Sequence, residues 1–140
     1  VLQAALRVLA GQLRGAEMLS SPQAVRDFLR IKLGTLEQEV FAVIHLDAQH
    51  RVIEYVEMFR GTVTQTSVYP REVVKEAMAH NTAAIVLVHN HPSGVAEPSR
   101  ADEHLTQTLK SALSLVDVRV IDHLIVAGPT ILSFAERGLI

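Results

Sequence analysis

Cysteine is absent from all 140 residues, so no disulfide can form and no thiolate can ligate a metal. Any metal centre in this chain must be built from histidine and carboxylate. Tryptophan is absent as well, and aromatic residues make up 4% of the chain, which leaves little for stacking nucleic-acid bases. There is no basic excess: 13 Lys and Arg stand against 15 Asp and Glu, for a formal charge of -2. A phosphate-binding surface needs a basic stripe, so no nucleic-acid binding is expected of this domain. No apolar run approaches the roughly 18–20 residues that cross a bilayer. The first residues lack the continuous apolar stretch and small-residue cleavage site of a secretory signal. No membrane association is expected, and a cytoplasmic location fits these absences.

What is present is the material of a single domain. Hydrophobic residues make up 49% of the chain, enough for one core, and charged residues 20%. Leu2, Leu6, Leu9 and Leu13 recur at helical spacing. That helix starts without a cap or an initiator Met, and Gly15 interrupts it. Residues 1–20 are therefore expected to be a helix and linker remnant of a longer chain, and residues 21–140 the domain proper.

Ser21-Pro22 opens a second helix, with Ser21 as N-cap and Pro22 at the first helical position. Residues 39–46 read as a buried strand, 47–50 as a turn and 52–59 as the returning strand of a hairpin. Residues 62–68 read as a further extended piece. Pro70 opens a helix over 71–80 that Asn81 ends, and residues 83–88 form a short buried strand. A Pro- and Gly-rich loop covers 90–98, and a long helix runs from Ser99 to about Leu115. Residues 118–122, 124–127 and 130–134 read as three short strands, with Gly128-Pro129 as the last turn. Helices alternating with strands predict an α/β domain, a mixed sheet with a helix on each face.

The chemistry concentrates in His89-Asn90-His91-Pro92-Ser93-Gly94 and in the residues up to Asp102. Two histidines at i and i+2, at the end of a strand, project from one face. Asp102 lies one turn into the following helix, and the Pro/Gly loop can fold that helix start back over the strand end. Two imidazoles and one carboxylate leave a fourth tetrahedral position open, the arrangement of a catalytic rather than a structural zinc site. Each part also has a plainer reading. Ser99-x-x-Asp102 is a capping pattern, and an isolated histidine is usually structural, the reading given to His45, His50, His80, His104 and His123. The complete spacing, His-x-His, seven residues, Ser, two residues, Asp, is what raises the metal reading.

That spacing resembles the metal motif of the JAMM (MPN-plus) metalloproteases, at His89, His91, Ser99 and Asp102. Phe59-Arg60-Gly61-Thr62, Tyr69-Pro70-Arg71-Glu72, His89 to Gly94, Glu97 to Asp102 and Val120 to Ile125 resemble the RadC branch more closely. The resemblance covers about residues 20 to 135. It implies a cytidine-deaminase-like α/β fold, a Zn2+ ion on His89, His91 and Asp102, and a glutamate general base. Glu39, two residues before the aromatic Phe41, is the candidate, with Glu37 left open. It further implies that Ser99 helps to polarise a scissile amide carbonyl, so the expected activity is a zinc metallopeptidase or isopeptidase acting on a peptide or protein substrate. Short loops at 61–70 and 90–98 would leave the site open to an extended peptide.

A non-catalytic interaction module in a DNA-repair-associated protein would keep the fold and the zinc site without turnover. A nuclease would want clustered carboxylates where this motif has one. A cytidine deaminase would need a cysteine pair, which this chain lacks.

Overall fold

The computed structural model describes residues 22–61 and 67–140. The helix expected over residues 1–14, the Ser21 cap and residues 62–66 of the extended piece expected over 62–68 lie outside the described residues; Ser67 and Val68 are described and belong to no strand.

Helix α1, Pro22–Leu33, turns Val25, Phe28, Leu29 and Leu33 to one side, at the 3–4 residue spacing of an amphipathic helix. Arg30 and Lys32 occupy its last turn, where cations favour the negative end of the helix dipole. Strands β1, Val40–Leu46, and β2, Val52–Arg60, form the expected antiparallel hairpin. Its turn is tied by Asp47, whose carboxylate accepts the Gln49 and Arg51 N–H groups and pairs with the Arg51 side chain at 2.8 Å. Helix α2, Pro70–Ala79, has Pro at its start and ends at His80, followed by Asn81 at a φ of 52°. Strand β3, Ala84–Asn90, is buried along its whole length. Helix α3, Arg100–Ser114, follows the loop. Strands β4, Arg119–Ala127, and β5, Thr130–Ser133, close the chain.

Among the described residues five strands make one mixed sheet in the order β2-β1-β3-β4-β5, in which β3–β4 is the only parallel pair. The α3 connection between β3 and β4 is the crossover that a parallel pair requires. Alternation along the central strands splits the core. Val40, Ile44, Val86 and Val88 pack with the α1 residues on one face. Phe41, Val43, Ile85 and Leu87 pack with Val73 and Ala77 of α2 and Leu105 and Leu109 of α3 on the other. The expected α/β architecture, with helices on both faces, is the one observed.

Two boundaries differ from the sequence reading. The break expected at residue 123 does not exist, because β4 is one nine-residue strand. The polar pair Asp122-His123 looked like a strand end, but both side chains are satisfied inside the fold. Asp122 accepts from Ser133 Oγ at 2.6 Å and from the Ala135 N–H at 2.9 Å, and His123 is fully buried. The irregularity there is a register shift, with Ile85 opposite Val120 and Val86 opposite Asp122. Strand β3 also runs two residues further than expected, to Asn90, because Asn90 continues the pairing with Val126.

Candidate metal centre

The longer β3 positions the first candidate ligand. His89 sits within the strand, opposite Phe41 on β1 and Ile125 on β4, and is 1% exposed. His91 lies just beyond it, tied back by its N–H to the Val126 carbonyl at 2.8 Å. The loop then reverses through Gly94, whose φ of 84° suits glycine, and delivers the start of α3 to the same place. There Ser99 and Asp102 form a reciprocal capping box. Ser99 Oγ accepts the Asp102 N–H at 3.0 Å, and Asp102 Oδ2 accepts the Ser99 N–H at 2.8 Å. The capping reading of this pair is therefore correct, and it leaves the carboxylate within reach of both histidines. Asp102 Oδ1 lies 3.0 Å from His89 Nε2, and Oδ2 lies 3.1 Å from His91 Nε2. The two Nε2 atoms are 2.9 Å apart.

Three donor groups thus face one point, close enough to hold a single ion. The chemistry of the set fits zinc. His91 spends its Nδ1 proton on the Val95 carbonyl at 2.8 Å, so in the neutral ring Nε2 offers a lone pair. Such acceptors gathered around a buried carboxylate need a cation between them, whether a proton or a metal. Contacts of 2.9–3.1 Å are close to the roughly 3.3 Å that separates ligands bonded tetrahedrally at about 2.0–2.1 Å.

Electrostatics point the same way. Burial pushes the Asp102 carboxyl up, but the hydrogen bonds from His89 and His91, the His89 charge and the Ser99 N–H outweigh it and hold the group well below the usual carboxylate range. His91 is raised chiefly by its hydrogen bond to Asp102; burial lowers it, while the Val95 carbonyl and the charges of Asp102 and Glu39 raise it further.

A cleft of about 550 Å³ opens beside His91, lined by Glu37, Gln38, Glu39, Gly61, Pro92 and Ser93. Glu39 is half-buried and immediately precedes β1, whereas Glu37 is exposed. The Glu39 backbone is clamped from both sides by one residue. Asn90 Oδ1 accepts the Val40 N–H at 2.7 Å, and its Nδ2 donates to the Gln38 carbonyl at 2.9 Å. The Gly61 N–H adds a third tie, to the Glu39 carbonyl at 2.9 Å.

The family model for the RadC-like JAB domain matches residues 19–139. The chain belongs to the RadC family. It is 64% identical to a UPF0758 protein of Leptothrix cholodnii, 61% to one of Methylibium petroleiphilum and 59% to one of Nitrosomonas eutropha, in each case over its whole length. It spans 62–63% of the length of those relatives.

This RadC domain carries one residue at the site that the sequence reading had placed among the structural histidines. His123 lies 2.8 Å from His89 Nδ1 and 2.6 Å from Thr106 Oγ1, fully buried. Its signal was a histidine in the middle of an apolar strand, which by itself cannot say what lies across the sheet. A second group, His45, Glu76 and His80, also gathers three potential donors. Its imidazoles stack face to face, 4.6 Å apart and 13° from parallel. Lone pairs lying in nearly parallel ring planes do not converge as those of His89 and His91 do. Among the described residues no helix is long and apolar enough to cross a membrane.

Proposed function

We propose that this domain is a zinc-dependent amide hydrolase acting on a peptide or isopeptide bond. The observation that carries the reading is the convergence of His89, His91 and Asp102, with His91 facing a cleft that Glu39 also lines. Zinc held by these three residues would supply a Lewis acid and bring the pKa of a coordinated water to about 7.

The protein's own groups divide the remaining work. Glu39, whose charge is felt at His91, accepts the proton of the attacking water and returns it to the leaving amine. The two backbone ties from Asn90 keep that carboxylate at the cleft rather than on a fraying strand end. Ser99 Oγ only accepts within the capping box, so its own proton can be donated to the carbonyl oxygen as negative charge develops there. The exposed floor at Pro92 and Ser93 leaves room for an extended chain.

The test separates hydrolase from scaffold. Glu39→Gln is expected to keep about one zinc per chain by elemental analysis and to lose turnover of extended peptide and isopeptide substrates by on the order of 100-fold or more. His89→Ala and Asp102→Ala are expected to lose the metal. A zinc-loaded wild type inert toward a broad substrate panel would instead favour an interaction module.

A further inference from the structure

We propose that Thr106 and His123 form a buried tautomer lock, a positioning pair that fixes which nitrogen His89 turns toward the metal pocket. The inference rests on the metal reading of His89, His91 and Asp102. It concerns residues outside that set.

Thr106 Oγ1 lies 2.7 Å from the Asp102 backbone carbonyl, one helical turn back. A carbonyl cannot donate, so two oxygens at that distance need the threonine proton between them. Thr106 has no second proton. Its 2.6 Å contact with His123 Nδ1 must then be filled from the histidine side, by Nδ1–H donating to Oγ1. His123 is fully buried, and a neutral imidazole carries one proton. With that proton on Nδ1, His123 Nε2 is an acceptor, and the atom 2.8 Å away is His89 Nδ1. A neutral His89 therefore carries its proton on Nδ1 and presents a bare Nε2 to Asp102 and His91.

The chain of bonds closes on itself. The Asp102 carbonyl orients Thr106, Thr106 orients His123, His123 orients His89, and His89 faces the Asp102 carboxylate. The His123 ring has no freedom to leave the chain. It stacks on Phe134 at 4.5 Å and meets Phe41 edge-on at 6.2 Å. His91 is set separately, by the Val95 carbonyl, so each imidazole has its own partner. Outer hydrogen bonds of this kind typically hold 10–100-fold in metal affinity.

The experiment has two arms. Long-range proton–nitrogen NMR on histidine-labelled, metal-free wild type should show His89 and His123 both protonated on Nδ1. Zinc affinity, measured by competition with a chromogenic chelator, should fall on the order of 10–100-fold in His123→Leu. His123→Gln, whose carbonyl oxygen can accept where Nε2 did, should recover most of the loss. Thr106→Val should weaken binding and Thr106→Ser should not. His89 protonated on Nε2 in the wild type would overturn the inference, as would unchanged affinity in a folded His123→Leu. If His123→Leu does not fold, the wild-type spectrum and the Thr106 pair still decide. A wild type that binds no zinc would defeat the metal reading instead, and the metal-free spectrum would still test the lock.

Discussion

Asn90 shows how much one side chain can hold here. Its amide copies a peptide group, accepting from Val40 and donating to Gln38, and so splices the segment around Glu39 onto the end of β3. Asn90→Leu leaves the buried Val40 N–H without a partner, a loss of about 1–3 kcal/mol. Chemical denaturation should show that loss, and turnover should fall further than zinc binding because Glu39, not the ligand set, is released. Equal losses in both would argue that Asn90 acts only on the fold. Ser99→Ala should cost about 1 kcal/mol as a lost N-cap, with Asp102 still able to bind metal. If it also abolishes turnover while zinc is retained, the hydroxyl has a chemical role beyond its cap.

Elements are fixed to one another by a few close approaches. The end of α1 meets the β4–β5 turn at Gly34, where an added Cβ would stand 2.5 Å from the Arg30 carbonyl and 3.0 Å from that of Gly128. Both obstacles are backbone and cannot swing aside. Arg30 Nε seals the same junction by donating to the Pro129 carbonyl at 2.8 Å. Gly34→Ala is therefore expected to destabilise by about 1–3 kcal/mol, the cost of overpacking, read as a lower denaturant midpoint; an unchanged midpoint would mean that α1 can shift freely on the sheet. At this scale much was legible beforehand. The α1 stripe, the β1–β2 hairpin and the opening of α3 at Ser99 followed from periodicity and capping chemistry. The continuous β4 did not, because whether Asp122 and His123 end a strand depends on Ser133, Ala135, Thr106 and His89, which are distant in sequence.

For the molecule as a whole, stability is expected to depend on pH and, on the proposed reading, on metal. Burial, and then the neighbouring His80, push His45 down to about 4. In the unfolded chain it titrates near 6.5. Between those values the unfolded state binds a proton that the folded state refuses, so stability falls as pH drops from about 6.5 to about 4, by on the order of 3 kcal/mol. His91, raised by Asp102, contributes with the opposite sign. Comparing urea midpoints of wild type and His45→Phe across this window isolates His45: the variant should gain relative to wild type as pH falls, and parallel curves would refute the assignment. Zinc should stabilise the wild type by about 2.7 kcal/mol at 100 times its Kd, or roughly 5–10 °C in Tm. Asp102→Ala should show no such shift in a thermal melt.

By itself the sequence determined the class of fold and the ligand chemistry open to it, and singled out three candidate donors, because periodicity, the lack of cysteine and a fixed spacing are local properties. It also left the cap and the ligand readings of Ser99-x-x-Asp102 as rivals. Only the tertiary structure shows that the two are compatible, by turning Asp102 Oδ2 to the helix start and Oδ1 to His89. Likewise only the fold made His123 part of the site. Its partners come from β3 and α3, and hydrogen bonds between side chains 34 and 17 residues apart leave no periodic mark on the chain.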